Sequence, residues 1–424
     1  MDRNNLNDKE NNSINQRKPK AGKTTDPTTA PTEAPAETPT ETPPVTTLRA
    51  AVNPDSSQEE LYRVLYPFGQ MIEKSGVVAF PTETVYGLGA SALDPKGIEK
   101  IFTAKGRPSD NPLIVHITRT EDVFELVQSV PEKALMLIKA FWPGPLTIIF
   151  KKQPIIPDIV TAGGDTVAIR MPDHPVAKAL IEIAGVPLVA PSANASGKPS
   201  PTTAKHVLED LDGKINGIID GGSSAVGIES TVIDMTEEPP VLLRPGGITQ
   251  RMIEGVIGPI LRDQQLDKIH RGKAAGEEER SPDKLRSPGM KYTHYAPRAE
   301  VVILRGTREK VLAKIRELQK SYQEAGQQVG IITVDENLKS YETALKDHGK
   351  ETFNPPCIRS LGSEKDVEKM AANLFSILRE FDQTDVAVIL AEALEDREMG
   401  YAIMNRLSKA AGQNILYVDE EARS

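Results

Sequence analysis

From Glu59 the apolar residues fall at helical spacing: Leu61, Val64, Leu65, Phe68, Met71 and Ile72 make one stripe, which Gly76 ends. Downstream, short runs rich in Val and Ile alternate with further helical periods. Strands are expected at Val77–Pro81, Leu113–Ile117, Thr147–Phe150, Thr166–Met171, Leu188–Ala190, Gly217–Asp220, Ser230–Met235 and Val241–Leu243. Helices are expected near Gly97–Ala104, Glu121–Val127, Glu132–Phe141, Pro175–Ile183, Thr203–Leu211 and Thr249–Val256. Several strand connections are too short for a helical crossover, so residues 58–262 read as an α/β domain around a twisted mixed sheet.

Residues 263–298 lose this periodicity and read as a linker. Their second half, Ser287–Pro297, carries Lys291, Tyr292, His294 and Tyr295, more chemistry than a spacer needs. Beyond it, Val301–Leu304, a helix with Val311, Leu312, Ile315 and Leu318, Val329–Val334, a helix with Val367, Met370, Leu374, Ile377 and Leu378, Val386–Ala391 and Ile415–Val418 repeat a β-α-β order. Residues 299–424 are therefore a smaller Rossmann-like domain. Its first strand is followed by Arg305-Gly306-Thr307 and not by a G-x-G-x-x-G turn, so no dinucleotide is expected. At the other end, residues 1–57 are dominated by Thr, Pro, Ala, Glu, Asn and Lys, with almost nothing to form a core, and read as a disordered tail. Gly22-Lys23-Thr24 in that tail imitates the end of a Walker A loop, but Arg17 stands where its first Gly belongs.

Composition narrows the chemistry. With 424 residues the chain is too long for one average domain. Its one cysteine, Cys357, allows neither an intrachain disulfide nor a Cys-type zinc site, which points to a reducing, cytoplasmic setting. A net charge of −9 argues against wholesale binding of nucleic acid or anionic membrane, so any anionic ligand must be held locally. No stretch resembles a secretory signal or reaches the apolar length of a membrane span. Neither H-E-x-x-H, His/Cys ligand spacing nor G-x-S-x-G occurs, so a dedicated zinc site and a hydrolase triad are not expected. With aromatics at 4%, a single-strand nucleic-acid groove is poorly supported.

The densest candidate chemistry is Lys105-Gly106-Arg107-Pro108-Ser109-Asp110-Asn111-Pro112, a Gly/Pro-rich loop that can aim two cations at one oligoanion. Cations so placed offset the charge developing on a transferred or departing phosphate, though a solvated turn reads the same way. Four more segments share one design, a strand ending in small polar residues or glycines: Pro81–Gly89, Ala190–Gly197, Gly227–Val232 and Leu243–Gly247. Ligands of α/β sheets bind at strand ends, yet these residue types are also ordinary turn formers. Arg170, in an apolar β-branched run, calls for a carboxylate partner, either a ligand or a structural ion pair; His116 lies likewise within a strand, as a ligand contact or a satisfied core histidine.

Taken in order, Pro81–Gly89, Lys105–Leu113, Ala190–Gly197, Gly227–Val232, Arg244-Pro245-Gly246 and Ser287–Pro297 closely resemble the L-threonylcarbamoyladenylate synthases in their two-domain form. In that form a YrdC-like domain precedes a Sua-type C-terminal domain. Asn405-Arg406-Leu407-Ser408-Lys409-Ala410-Ala411 looks like the second domain's own signature. The resemblance covers about residues 58–424 and implies a nucleotidyltransferase that joins L-threonine, bicarbonate (or CO2) and ATP into threonylcarbamoyl-AMP and pyrophosphate. The product would pass to the machinery that places threonylcarbamoyl on the adenosine beside the anticodon of ANN-reading tRNAs; direct tRNA binding is left open.

By the same resemblance, Lys105 and Arg107 are the catalytic cations, with Asn111, Thr166, Ser192, Asn194, Ser200, Arg244 and Tyr295 also at ATP. Thr84, His116, Arg170, Ala190 and Ser230 would hold threonine, Arg170 through its α-carboxylate. Mg2+ is expected to travel with ATP, and no protein-bound metal is expected. A carbamate formed on threonine's amine would attack the α-phosphorus, so the protein need only orient and stabilise charge. His294 and Tyr295 would form a lid, and a chain cut before Ser287 is expected to keep its fold but bind ATP less well. Two alternative readings stand beside it: a hydrogenase-maturation-type carbamoyltransferase, whose C-x-x-C zinc fingers one cysteine cannot supply, and a double-stranded RNA- or tRNA-binding ribosome-assembly protein.

Overall fold

The computed structural model describes residues 45–266, 295–347 and 356–419. The chain begins with β1 (Leu48–Ala51), α1 (Gln58–Glu73), β2 (Val78–Phe80), β3 (Gly87–Ser91), α2 (Pro95–Lys105) and β4 (Ile114–His116). There follow α3 (Asp122–Leu126), α4 (Glu132–Phe141), β5 (Leu146–Lys151), β6 (Thr166–Arg170), α5 (Pro175–Ala184), β7 (Leu188–Val189) and α6 (Ala204–Leu211). The first lobe ends with β8 (Gly217–Asp220), β9 (Thr231–Asp234), β10 (Val241–Arg244), α7 (Gln250–Ile257) and β11 (Leu261–Arg262). The second lobe runs β12 (Glu300–Arg305), α8 (Arg308–Glu324), β13 (Gln328–Thr333), α9 (Asp335–Asp347) and β14 (Cys357–Ser360). It closes with α10 (Val367–Phe381), β15 (Val386–Glu392), α11 (Glu398–Ala410) and β16 (Ile415–Tyr417).

The first lobe is built on one eleven-stranded sheet in the order β1-β8-β2-β3-β7-β4-β6-β5-β9-β10-β11, with parallel and antiparallel pairs intermixed. Its central strands are buried on both sides because helices cover both faces. On one face α1 and α5 bury Leu65, Phe68, Ile72 and Leu180. On the other α2, α4, α6 and α7 bury Ile98, Ile101, Leu137, Val207 and Ile253. The second lobe is a five-stranded, all-parallel sheet, β14-β13-β15-β12-β16. Among the described residues no helix is long and apolar enough to cross a membrane.

The two lobes share a core. Val85 and Ile228 of the first pack among Leu374, Phe375, Ala402 and Ile403 of α10 and α11. Gly227 permits the closest approach: at φ +72, a Cβ there would lie 2.3 Å from Ala372 Cα, so any side chain would force α10 away. Two buried arginines also cross the seam, Arg379 from α10 and Arg406 from α11.

Two expectations need correction. Leu48–Ala51, placed in the tail by composition, is β1, paired in parallel with β8; its backbone ladder, with three of its four side chains exposed, needs no apolar run. Gly87–Ser91, read as a polar strand end, is the fully buried β3, where a Cβ on Gly89 would meet the Phe80 ring at 2.7 Å. Residues 1–44 and the Ser287–His294 stretch, His294 of the expected lid included, lie outside the described residues.

Candidate active site

A cavity opens where β4, β6, β7 and β10 end, and each of the four strand-end segments contributes to its wall. Its lining gathers Arg107, Arg170, Lys198 and Arg244 around one carboxylate, Glu229. The locally positive surface that an acidic chain would need for an anionic ligand is concentrated here.

His116 and Arg170 are direct partners across the parallel β4/β6 pair, so both end at the cavity. The His116 Nδ1 lies 3.1 Å from the Ile114 carbonyl, which can only accept, so that nitrogen carries the proton. Burial, followed by the Arg170 charge, pushes His116 down to about 3, so the ring is neutral near pH 7. Arg170 Nη1 donates to Thr84 Oγ1 at 2.8 Å and Nε to the Gly144 carbonyl at 3.2 Å. The carboxylate partner expected for it is found inside the chain: Glu83 Oε1 lies 2.6 Å from Nη2, with both groups nearly buried. Neither Glu83 oxygen makes an aligned hydrogen bond, so the pair is held by charge and packing. A ligand carboxylate at Arg170 would share the guanidinium with Glu83.

The Lys105–Asn111 segment divides its two cations. Asp94 caps α2 by accepting the Lys96 and Gly97 N–H groups, and Gly106, at φ 58, ends it directly after Lys105. Lys105 therefore leaves the last turn of a helix and turns inward, where it is buried and its Nζ donates to the carbonyls of Ser192 and Asn194. Burial, with Arg107 adding to it, holds this ammonium well below the ordinary lysine range. Arg107 lines the cavity, while Lys105 is hydrogen-bonded to the Ser192–Asn194 segment of its wall. Arg107 Nη2 in turn donates to the Asn111 and Pro112 carbonyls, and Asn111 lies behind the wall. Ser192 Oγ donates to Asn194 Oδ1 at 2.6 Å. This loop extends the sheet, since Leu88 N donates to Pro191 O and Ala193 N to Tyr86 O, while Ala190 N donates to Ile114 O.

Opposite, Arg244 Nε donates to the Ser230 carbonyl at 2.9 Å and Nη2 to Ser230 Oγ at 3.0 Å. Burial, then Arg406, lowers Arg244 to about 10. Ser200 Oγ donates to Glu229 Oε1 at 2.5 Å. Burial pushes the Glu229 carboxyl up, but Arg406, Arg244 and the Ser200 hydroxyl outweigh it and leave it below its ordinary value. Tyr295 is buried in the same wall at φ 68, a left-handed backbone rare for a bulky residue, with its ring 5.0 Å from that of Phe375. Burial and the Glu229 charge raise its hydroxyl pKa. Of the residues singled out in the sequence, Thr166 is the one placed far from the others: it begins β6, whereas Arg170 ends it about 13 Å further on.

Comparison with known proteins fits this arrangement. A family model described as "Telomere recombination" matches residues 70–246, and one described as "Threonylcarbamoyl-AMP synthase, C-terminal domain" matches residues 248–412. The threonylcarbamoyl-AMP synthase of Pyrococcus abyssi is 50% identical over 347 residues, 82% of this chain and 94% of that protein. The chain belongs to the threonylcarbamoyl-AMP synthase family. The family's Bacillus subtilis member is 48% identical over 82% of this chain and 92% of its own length. The crystal structure of P. abyssi Sua5 complexed with L-threonine superposes with a TM-score of 0.77 at 46% identity, covering 88% of this chain and all of that one.

Membership in the threonylcarbamoyl-AMP synthase family favours the adenylate-forming reading over the carbamoyltransferase and RNA-binding alternatives. Four charged residues of the site escaped sequence reasoning: Glu83, Lys198, Glu229 and Arg406. Two carried a usable signal. Glu229 sits in Gly-Ile-Glu-Ser-Thr-Val, and Arg406 follows Tyr-Ala-Ile-Met-Asn, each a charge within an apolar run, the sign that drew attention to Arg170.

Proposed function

We propose that this enzyme condenses L-threonine, bicarbonate or CO2, and ATP into threonylcarbamoyl-AMP and pyrophosphate, acting as a nucleotidyltransferase. The observation that carries this reading is one cavity whose wall brings together two sets of groups: Thr84, His116 and Arg170, and Arg107, Ser192, Asn194, Ser200 and Arg244. The first set suits a small amino acid. Thr84 Oγ1 is already oriented by Arg170, and neutral His116 can serve a polar side chain without adding charge. The second set suits a nucleotide, with guanidinium groups for the phosphates and short hydroxyl and amide groups for close approach.

Threonine's amine takes up CO2 as a carbamate, and a carbamate oxygen then attacks the α-phosphorus as pyrophosphate departs. Substrate atoms supply both nucleophile and leaving group. The chain's part is to align them and to hold fixed donors where negative charge builds up, without reorganisation. Lys105 contributes by keeping the Ser192–Asn194 wall in place. Mg2+ enters with ATP as part of that substrate. The adenylate would then pass to a transferase acting on tRNA, in the cytoplasm.

The test is pyrophosphate release from ATP. Release should require both threonine and bicarbonate and should collapse in K105A, whose two wall carbonyls lose their donor. Release that ignores threonine would sink the reading.

A further inference from the structure

The signature Asn405–Ala411 has so far no role, and the fold gives its arginine one. Arg406 lies midway along α11 of the second lobe with none of its side chain exposed, yet its partners beyond its own helix all belong to the first lobe. Its Nε donates to Glu229 Oε2 at 3.1 Å, its Nη2 to the Glu229 carbonyl at 3.1 Å and its Nη1 to the Pro245 carbonyl. One further bond, of 3.4 Å, returns to Ala402 of its own helix. The guanidinium thus ties together two stretches that enter the cavity, Glu229–Ser230 and Arg244–Pro245.

What Glu229 does next makes this more than a seam. Its second oxygen accepts the Ser200 hydroxyl, and Glu229, Ser200, Ser230, Arg244 and Tyr295 all line the cavity. A planar fork fixes the plane of a carboxylate, whereas a lysine would supply one mobile point charge. Arg379 also crosses from the second lobe, donating to the Pro199 carbonyl at 2.6 Å and to Asp210 at 2.7 Å, and Asp210 in turn holds Lys198 of the cavity wall at 2.8 Å.

We propose that Arg406 is a positioning residue for the cavity wall that takes the nucleotide: from the second lobe it fixes the Glu229 carboxylate and, through it, Ser200, and it braces Arg244 through the adjoining Pro245 carbonyl. The inference rests on the function proposed above in taking ATP as the ligand. It gives the second lobe a task inside the catalytic cavity, performed without touching substrate.

The full chain is compared with R406K, R406M, E229Q and R406M/E229Q. The dissociation constant of a non-hydrolysable ATP analogue is measured by calorimetry, and KM and kcat by threonine-dependent pyrophosphate release. R406M should weaken the analogue by about tenfold or more and raise the KM for ATP in step, since a hydrogen-bonded charge has been withdrawn from the wall. R406K should recover part of the loss, E229Q should weaken binding by itself, and the double variant should lose little beyond R406M.

An arginine that only joins the lobes would reduce the folded fraction, and with it kcat per mole of protein, leaving Kd and KM unchanged. Parental affinity in R406M, or independent losses that multiply in the double variant, overturns the proposal. If R406M does not fold, E229Q and R406K carry the comparison, and parental affinity in both overturns it. Should the parent bind the analogue but release no pyrophosphate in response to threonine, the proposed function fails, while the affinity series still decides the role of Arg406.

Discussion

His116 shows how the cavity sets the charge of one side chain. Its folded value is about 3 against 6.5 when unfolded, so between those values the unfolded chain binds a proton that the folded chain refuses. The stability it supports is complete above pH 6.5 and is lost as pH falls toward 3, at about 1.4 kcal/mol per pH unit. H116Q, which cannot titrate, should therefore lose about 2 kcal/mol less than the parent between pH 7 and pH 5, read from urea midpoints at the two pH values. Equal losses would mean that His116 takes up its proton in the folded protein as readily as in the unfolded one. At this scale the sequence showed which side chains matter better than what they face. Arg170 could be seen to need a carboxylate, but the nearest one, Glu83, is the residue before Thr84 in a strand end. Which of them points inward depends on a strand pairing that the spacing of apolar residues does not reveal. Lys105 likewise was visible as a cation next to a glycine, and only the end of α2 decides that it turns inward to the Ser192 and Asn194 carbonyls.

At the scale of elements, α2 is positioned at its start by Asp94, whose side chain accepts two backbone N–H groups, and it delivers Lys105 at its finish. D94A should cost about 1 kcal/mol in urea unfolding, with D94N close to the parent because an amide oxygen can still accept. A D94A chain as stable as the parent would show that packing of Ile98, Ile101 and Phe102 alone holds the helix. The long amphipathic helices and the Val/Ile strands were legible because one physical cause, burial of one side, dominates each. β3 was not, because Gly87 and Gly89 are there to let Phe80 lie close, and a glycine chosen for a neighbour looks like a glycine chosen for a turn. β1 was hidden for the opposite reason: it is held by backbone bonds to β8 while its side chains stay largely in water. In the second lobe α11 went unrecognised beyond its signature, because it is buried nearly all round, polar Asn405, Arg406 and Ser408 included.

The whole molecule departs most from a reading as two independent domains. Cutting the chain before Ser287 would expose Val85 and Ile228 and leave Asp210 and Glu229 without Arg379 and Arg406. Losing one partner of a buried ion pair typically costs about 3–5 kcal/mol, so the truncated chain should unfold at markedly lower urea as well as bind ATP poorly. A truncated form with the parental midpoint would show that the lobes fold separately and that the seam adds nothing. Glu229 and Arg406 stand 177 residues apart in sequence. At roughly 5–20 residues per second, a ribosome needs about 10–35 seconds to travel from one to the other. For that interval the nascent first lobe has Arg244 and the Ser200 hydroxyl beside the Glu229 carboxylate but lacks the fork that binds its second oxygen, so the wall is completed only when α11 has been made.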